Sequence, residues 1–94
     1  MEVSEIKVFL VKGNSKLKAK AHVTVRTENG WELTLKGLRI HDDGIKAPWV
    51  GVPTERYSKN GKDEYTEMLW INQTAQSDLY PKVLFAYKEK IRTA

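Results

Sequence analysis

The sequence predicts an α+β domain: an antiparallel sheet of four to five strands followed by a C-terminal helix packed on one face. Three observations carry this reading. Residues 17–26 alternate strictly between apolar and polar side chains, residues 31–40 do the same with one slip of phase, and from residue 79 the apolar spacing changes to four. A period of two marks a half-buried strand and a period near 3.6 an amphipathic helix. The 94 residues make a single domain, 1–94, because two halves would each be too small to bury a core.

The first strand is read at residues 3–11, rich in β-formers, and it breaks at Lys12-Gly13-Asn14-Ser15, a turn by composition. In the second, Leu17, Ala19, Ala21, Val23 and Val25 form the core side; Lys18, Lys20, His22, Thr24 and Arg26 form the solvated side. Asn29-Gly30 follows, two residues that tolerate the positive φ of a tight hairpin turn. Trp31, Leu33 and Leu35 then alternate with Glu32, Thr34 and Lys36. After Gly37 the apolar positions become Leu38 and Ile40, so a bulge or bend at that glycine is expected to shift the side chains by one residue.

His41-Asp42-Asp43-Gly44 reads as a further turn. Pro48-Trp49-Val50-Gly51-Val52-Pro53 is a short strand, and a proline at each end places it at a sheet edge. Residues 54–64 are polar around Asn60-Gly61 and are expected to form a long mobile loop or a flexible hairpin tip; residues 65–71 are the candidate fifth strand. Leu79, Val83, Tyr87 and Ile91, widened by Tyr80 and Leu84, give the helix its apolar stripe. Pro81 is tolerated in a first turn, and a start capped by Asp78 places it at the third helical position; a cap at Asn72 would make the helix longer and kinked, and the sequence leaves both starts open. Lys88, Lys90 and Arg92 near its end suit the helix dipole.

The absence of cysteine excludes disulfides, thiolate metal sites and cysteine nucleophiles. The N-terminal residues carry two acids and no long apolar run, and nothing later approaches the ~18 apolar residues of a membrane span. A soluble, cytoplasmic protein without membrane association is the expectation. His22 lies on a polar strand face, where a solvated side chain outweighs a metal ligand. His41-Asp42-Asp43 is better explained by turn composition than by coordination. No serine stands in a nucleophile elbow and no glycine-rich phosphate cradle occurs. No cofactor, metal site, catalytic residue or small-molecule substrate is indicated, and the chain is not read as an enzyme. Trp31, Trp49 and Trp70 are read as core or interface residues.

Charge supplies the functional signal. Sixteen Lys and Arg against twelve Asp and Glu give a net charge of +4. The distribution is polarised: between residues 7 and 26 lie Lys7, Lys12, Lys16, Lys18, Lys20 and Arg26 with no acid among them. Lys18, Lys20, Arg26 and Lys36, with Arg39, fall on the outer face of the hairpin formed by the second and third strands. Cations at alternate positions can meet successive phosphates of a nucleic acid and release its counterions. A solvated face is the plainer alternative. No aromatic lies on the polar side of the second strand itself, and Tyr57, between Arg56 and Lys59, is the stacking candidate.

Three stretches resemble consecutive signatures of the stage V sporulation protein G (SpoVG) family. They are Leu17-Lys18-Ala19-Lys20-Ala21-His22-Val23-Thr24-Val25, Lys36-Gly37-Leu38-Arg39-Ile40 and Trp49-Val50-Gly51-Val52-Pro53-Thr54; Ile71-Asn72 with Val83-Leu84 and Tyr87 is similar to the family's C-terminal helix. The resemblance implies an antiparallel sheet with a terminal helix, a homodimer built around the sheet, and a bacterial regulator of septation and sporulation. Its partner would be nucleic acid, DNA ahead of RNA. Arg39 and Arg56 carry over as matching positions, and Lys59 and Lys62 extend that second group. The chain departs from the family at Gln73-Thr74-Ala75-Gln76, where basic residues often open the helix, and at Glu55, which replaces one of a basic pair. Those losses motivate the alternative, a dimeric protein-interaction module that binds no nucleic acid.

Overall fold

The computed structural model describes residues 2–13 and 15–93; Asn14, part of the turn expected after the first strand, lies outside them. Strands β1 (Glu2–Leu10), β2 (Leu17–Arg26), β3 (Glu32–His41) and β4 (Trp49–Gly51) form one antiparallel sheet in chain order. Strands β5 (Thr54–Lys59) and β6 (Lys62–Glu67) make a second, two-stranded sheet, and α1 (Gln73–Thr93) ends the chain. The fold is α+β, with β4 at the edge that its flanking prolines predicted.

Alternation decides which face is buried. Ala19, Ala21, Val23, Leu38, Ile40 and Val83 are wholly inaccessible, and Val25, Val50, Leu79 and Tyr87 nearly so. Leu79, Val83 and Tyr87 recur at four-residue intervals along α1, so one helix stripe meets one sheet face. Ile91 continues the spacing but remains 46% exposed. The phenol of Tyr87 donates to Asp42 Oδ2 at 2.9 Å, which ties the helix to the turn after β3. Burial and then this carboxylate push the Tyr87 pKa up to about 12.

The phase slip in β3 has the expected cause. Ala21 pairs with Leu38 and Val23 with Leu35, which leaves Lys36 and Gly37 together opposite His22. Gly37 takes φ +83°, a left-handed conformation open to glycine at little cost.

Elsewhere the turn chemistry differs from expectation. At Asn29-Gly30 only Gly30 takes a positive φ. The Gly30 N–H donates to the Thr27 carbonyl at 3.0 Å and the Thr27 N–H to the Trp31 carbonyl at 2.9 Å, so the loop spans residues 28–30. At Asn60-Gly61 both residues adopt positive φ, 53° and 76°, and Lys59 pairs with Lys62. That is the two-residue hairpin geometry favoured by strand twist. Of the two expectations for this stretch, a mobile loop or a hairpin tip, the hairpin is the one found, and strand pairing runs its full length from Thr54 to Glu67. Cross-strand pairing of Tyr57 with Glu64, whose carboxylate accepts the phenol proton at 2.7 Å, helps a polar sequence hold strand geometry. β6 ends at Glu67, so only the first part of the candidate fifth strand is extended, and it joins the second sheet.

The helix starts early. Asn72 Oδ1 accepts the Ala75 N–H at 2.8 Å as an N-cap, leaving Pro81 inside the helix. Asp78 pairs instead with Lys82, four residues on. The hairpin of β5 and β6 packs chiefly on itself and stands off the main sheet. The radius of gyration is accordingly 14.6 Å, against about 12 Å for a compact chain of this length. None of the tryptophans is in the core of the chain: Trp31, Trp49 and Trp70 are 69%, 58% and 79% exposed. Among the described residues, no helix is long and apolar enough to cross a membrane.

Candidate nucleic-acid interface

With the helix on one face, the other face of the main sheet is open. Register fixes what it carries. Phe9 of β1 pairs with Lys20 of β2, Lys20 with Arg39 of β3, and Arg39 with Gly51 of β4. These residues form one row across all four strands, on the side opposite the buried Ala19, Ala21, Ile40 and Val50. Lys20 and Arg39, separated by 19 residues in sequence, become direct neighbours. Neither forms an ion pair among the described residues.

The aromatic side chains on this face come from its outer strands. Phe9 packs against His22 with ring centroids 4.8 Å apart and planes tilted by 57°. His41, two residues beyond Arg39 and so on the same face, stacks on Trp49 with centroids 4.1 Å apart and planes 16° from parallel. Burial against its neighbours and then the charge of Arg39 lower the His41 pKa, favouring the neutral imidazole. The Trp49 ring also lies over Gly51, where an added Cβ would come within 3.2 Å of Trp49 Cζ3. The polar face of β2 lacks aromatics, as its sequence shows. Its neighbours supply them, and the alternation of Lys7 and Phe9 with Ile6 and Val8 in β1 carries that signal.

The other expected site residues divide by place. Arg26 lies at the far end of the face, paired to Glu32, whose hydrogen bond and charge raise its pKa, with Glu2 close by. Lys18 is the extra residue of a second irregularity, between the pairs Leu17–His41 and Ala19–Ile40, and is half-buried. Lys36 sits exposed in the bulge at Gly37. Arg56, Lys59 and Lys62 are on the projecting hairpin, away from the main sheet. Arg56 lies 3.9 Å from Asp63, whereas Lys59 and Lys62 face each other beside the turn and make its tip positive. Tyr57 is committed to Glu64, which raises its pKa.

Asp42 and Asp43 are occupied by the turn they form. Asp42 accepts from the Gly44 N–H and the Tyr87 phenol, while Asp43 accepts from the Ile45 and Lys46 N–H groups, which lower its pKa. No cluster of three or more metal-ligating side chains occurs among the described residues.

Over 89 residues the chain is 28% identical to a protein of Archaeoglobus fulgidus named "Putative septation protein SpoVG", an alignment covering 95% of this chain and 96% of the relative. The chain is SpoVG-like. No family model matches it and no solved structure matches it. The SpoVG likeness therefore rests on this alignment and on the signatures, which the fold distributes over β2, β3 and β4. At the departure from the SpoVG pattern, residues 73–76 form the first turn of α1. There Gln76 Nε2 donates to the Ile71 carbonyl at 2.7 Å, so an uncharged side chain fastens the helix start.

Proposed function

We propose that this chain is a nucleic-acid-binding regulatory protein of the SpoVG type, with DNA ahead of RNA as its target, acting in septation or sporulation control. The observation that carries the reading is the adjacency of Lys20 and Arg39 at the centre of an open sheet face, with no acid among the described residues paired to either. Lys18 and Lys36 add charge to that face, and Lys59 and Lys62 form a second basic group on the hairpin. Arg26 and Arg56 contribute least, each being close to a carboxylate. Binding of this kind is electrostatic and positions a backbone without reading bases.

The proposed assembly is a homodimer. Its support is an apolar cleft of about 290 Å³ at the far end of the buried face, lined by Val3, Val25, Leu33, Leu35, Trp70 and Leu79. Trp70 and half-exposed Leu33 leave apolar surface there that a second copy would cover. The same surface favours the second reading, a dimeric interaction module without nucleic acid.

Binding to labelled duplex DNA and single-stranded RNA across a salt series tests the proposal. Four phosphate contacts predict a slope of log affinity against log salt of about −3 to −4 on duplex. No binding at low salt, with a partner retained at high salt after nuclease treatment, would favour the interaction module instead.

A further inference from the structure

We infer that the outer sheet face is a platform for unpaired bases. The His41–Trp49 stack receives one base and the Phe9–His22 pair another, while Lys20 and Arg39 between them hold the connecting backbone. The inference rests on the nucleic-acid reading above and narrows it to single strands.

Phe9 opens the row Phe9, Lys20, Arg39, Gly51 and the Trp49 ring lies over its last member, so Phe9 and Trp49 stand on the two outer strands, with the cations and the partner rings of His22 and His41 on the two inner ones. Neighbouring strands lie about 4.8 Å apart, so the ends of this row are separated by roughly 14 Å. A single base cannot touch both aromatic groups. A strand crossing the sheet can contact each in turn, with its phosphates over Lys20 and Arg39.

The rings are exposed and held in place. Trp49 and Phe9 are 58% and 48% exposed, which leaves aromatic surface for a base to cover. His41 supports Trp49 by stacking, and Gly51 leaves room for the indole to lie against the sheet. A ring fixed before binding loses little freedom when a base stacks on it. In duplex DNA the base faces are occupied by one another, so only an unpaired strand can use both the rings and the cations. Every base has a stacking face, so little sequence preference is expected, and RNA and DNA single strands share this chemistry.

The test uses oligothymidylate and oligouridylate of about a dozen nucleotides, within the usual footprint of single-strand binding folds, and a duplex of equal length. Tryptophan emission is read in a Trp31→Phe/Trp70→Phe background, which isolates Trp49. Single strands of either sugar are expected to quench this emission and to bind more tightly than the duplex. Trp49→Leu should weaken single-strand binding by about 5- to 150-fold with the salt slope unchanged, and Trp49→Phe should retain most of the affinity. Phe9→Leu, on a different strand, should weaken it in the same way, which guards against a local folding defect at β4. Lys20→Gln/Arg39→Gln should instead lower the slope by about 1.4.

Equal binding of single strand and duplex, with Trp49→Leu and Phe9→Leu at wild-type affinity, would overturn the platform and leave the phosphate reading standing. Loss of dimerisation in those variants with nucleic-acid affinity unchanged would overturn it by assigning the rings to a second copy. No binding to any oligonucleotide at low salt would overturn both readings.

Discussion

The indole of Trp49 stacks on the imidazole of His41, with centroids 4.1 Å apart and planes 16° from parallel. This contact joins the short edge strand to β3 on the face opposite the helix. The His41 pKa is lowered by burial first and by Arg39 second.

The His41 midpoint in a proton NMR titration is expected below the ordinary value of about 6.5, and Arg39→Gln should move it upward. A base with a lowered folded pKa favours the neutral state on folding. Its contribution is present above the unfolded pKa and is lost as pH falls through the folded one. Urea midpoints should therefore decline from about pH 6.5 downward, by less in His41→Gln.

Tyr87 works at the opposite end of the scale. Its phenol is pushed up to about 12, by burial and then by Asp42, against about 10 when unfolded. The raised value means that its stabilisation is intact below about pH 10 and lost as pH rises through about 12. Tyr87→Phe should cost about 1–2 kcal/mol in urea unfolding at neutral pH and flatten the alkaline decline.

The helix cap gives a discriminating pair of variants. Asn72→Ala removes the acceptor for the Ala75 N–H and should cost about 1 kcal/mol. Asp78→Ala loses an exposed pair with Lys82 and should cost less than about 0.5 kcal/mol. The reverse order would place the helix start at residue 78.

Core truncation should be more damaging than either. Leu38 is wholly inaccessible beneath the helix, and Leu38→Ala should cost about 2–5 kcal/mol by denaturant unfolding. Gly37→Ala, with a left-handed φ at the adjacent bulge, should cost about 1–2 kcal/mol.

The main sheet and helix were legible because their signals are local periods. Leu17 to Val25 alternate, Gly37 marks the slip, and Leu79, Val83 and Tyr87 repeat by four. The two Asn-Gly dipeptides show the limit of local reading: the turn at residue 60 takes both positive φ values, while at residue 29 a Thr27 side chain accepting the Trp31 N–H at 3.1 Å supports a longer loop. Pro81 left the helix start open between Asn72 and Asp78; the Asn72 cap and the helix packing against the sheet outweigh one missing backbone bond. For β5 and β6 only the tip at Asn60-Gly61 was legible, as one of two alternatives; the paired arms were not, because β6 is exposed throughout and β5 nearly so, leaving no apolar alternation to read. At the candidate site, Lys20 and Arg39 were visible individually. Their adjacency, and the arrival of Phe9 and Trp49 beside them, depends on strand pairing between distant parts of the chain.

Whether nucleic acid binds this sheet face is decided by the affinity of Lys20→Glu/Arg39→Glu for nucleic acid at low salt, with circular dichroism confirming the wild-type fold. Both cations face solvent on the side opposite the core, so the fold should survive their reversal. The double variant is expected to fold and to bind at least about tenfold more weakly, with a shallower salt dependence. A folded variant that binds as tightly as wild type, with the same salt slope, would contradict the assignment of nucleic acid to this face.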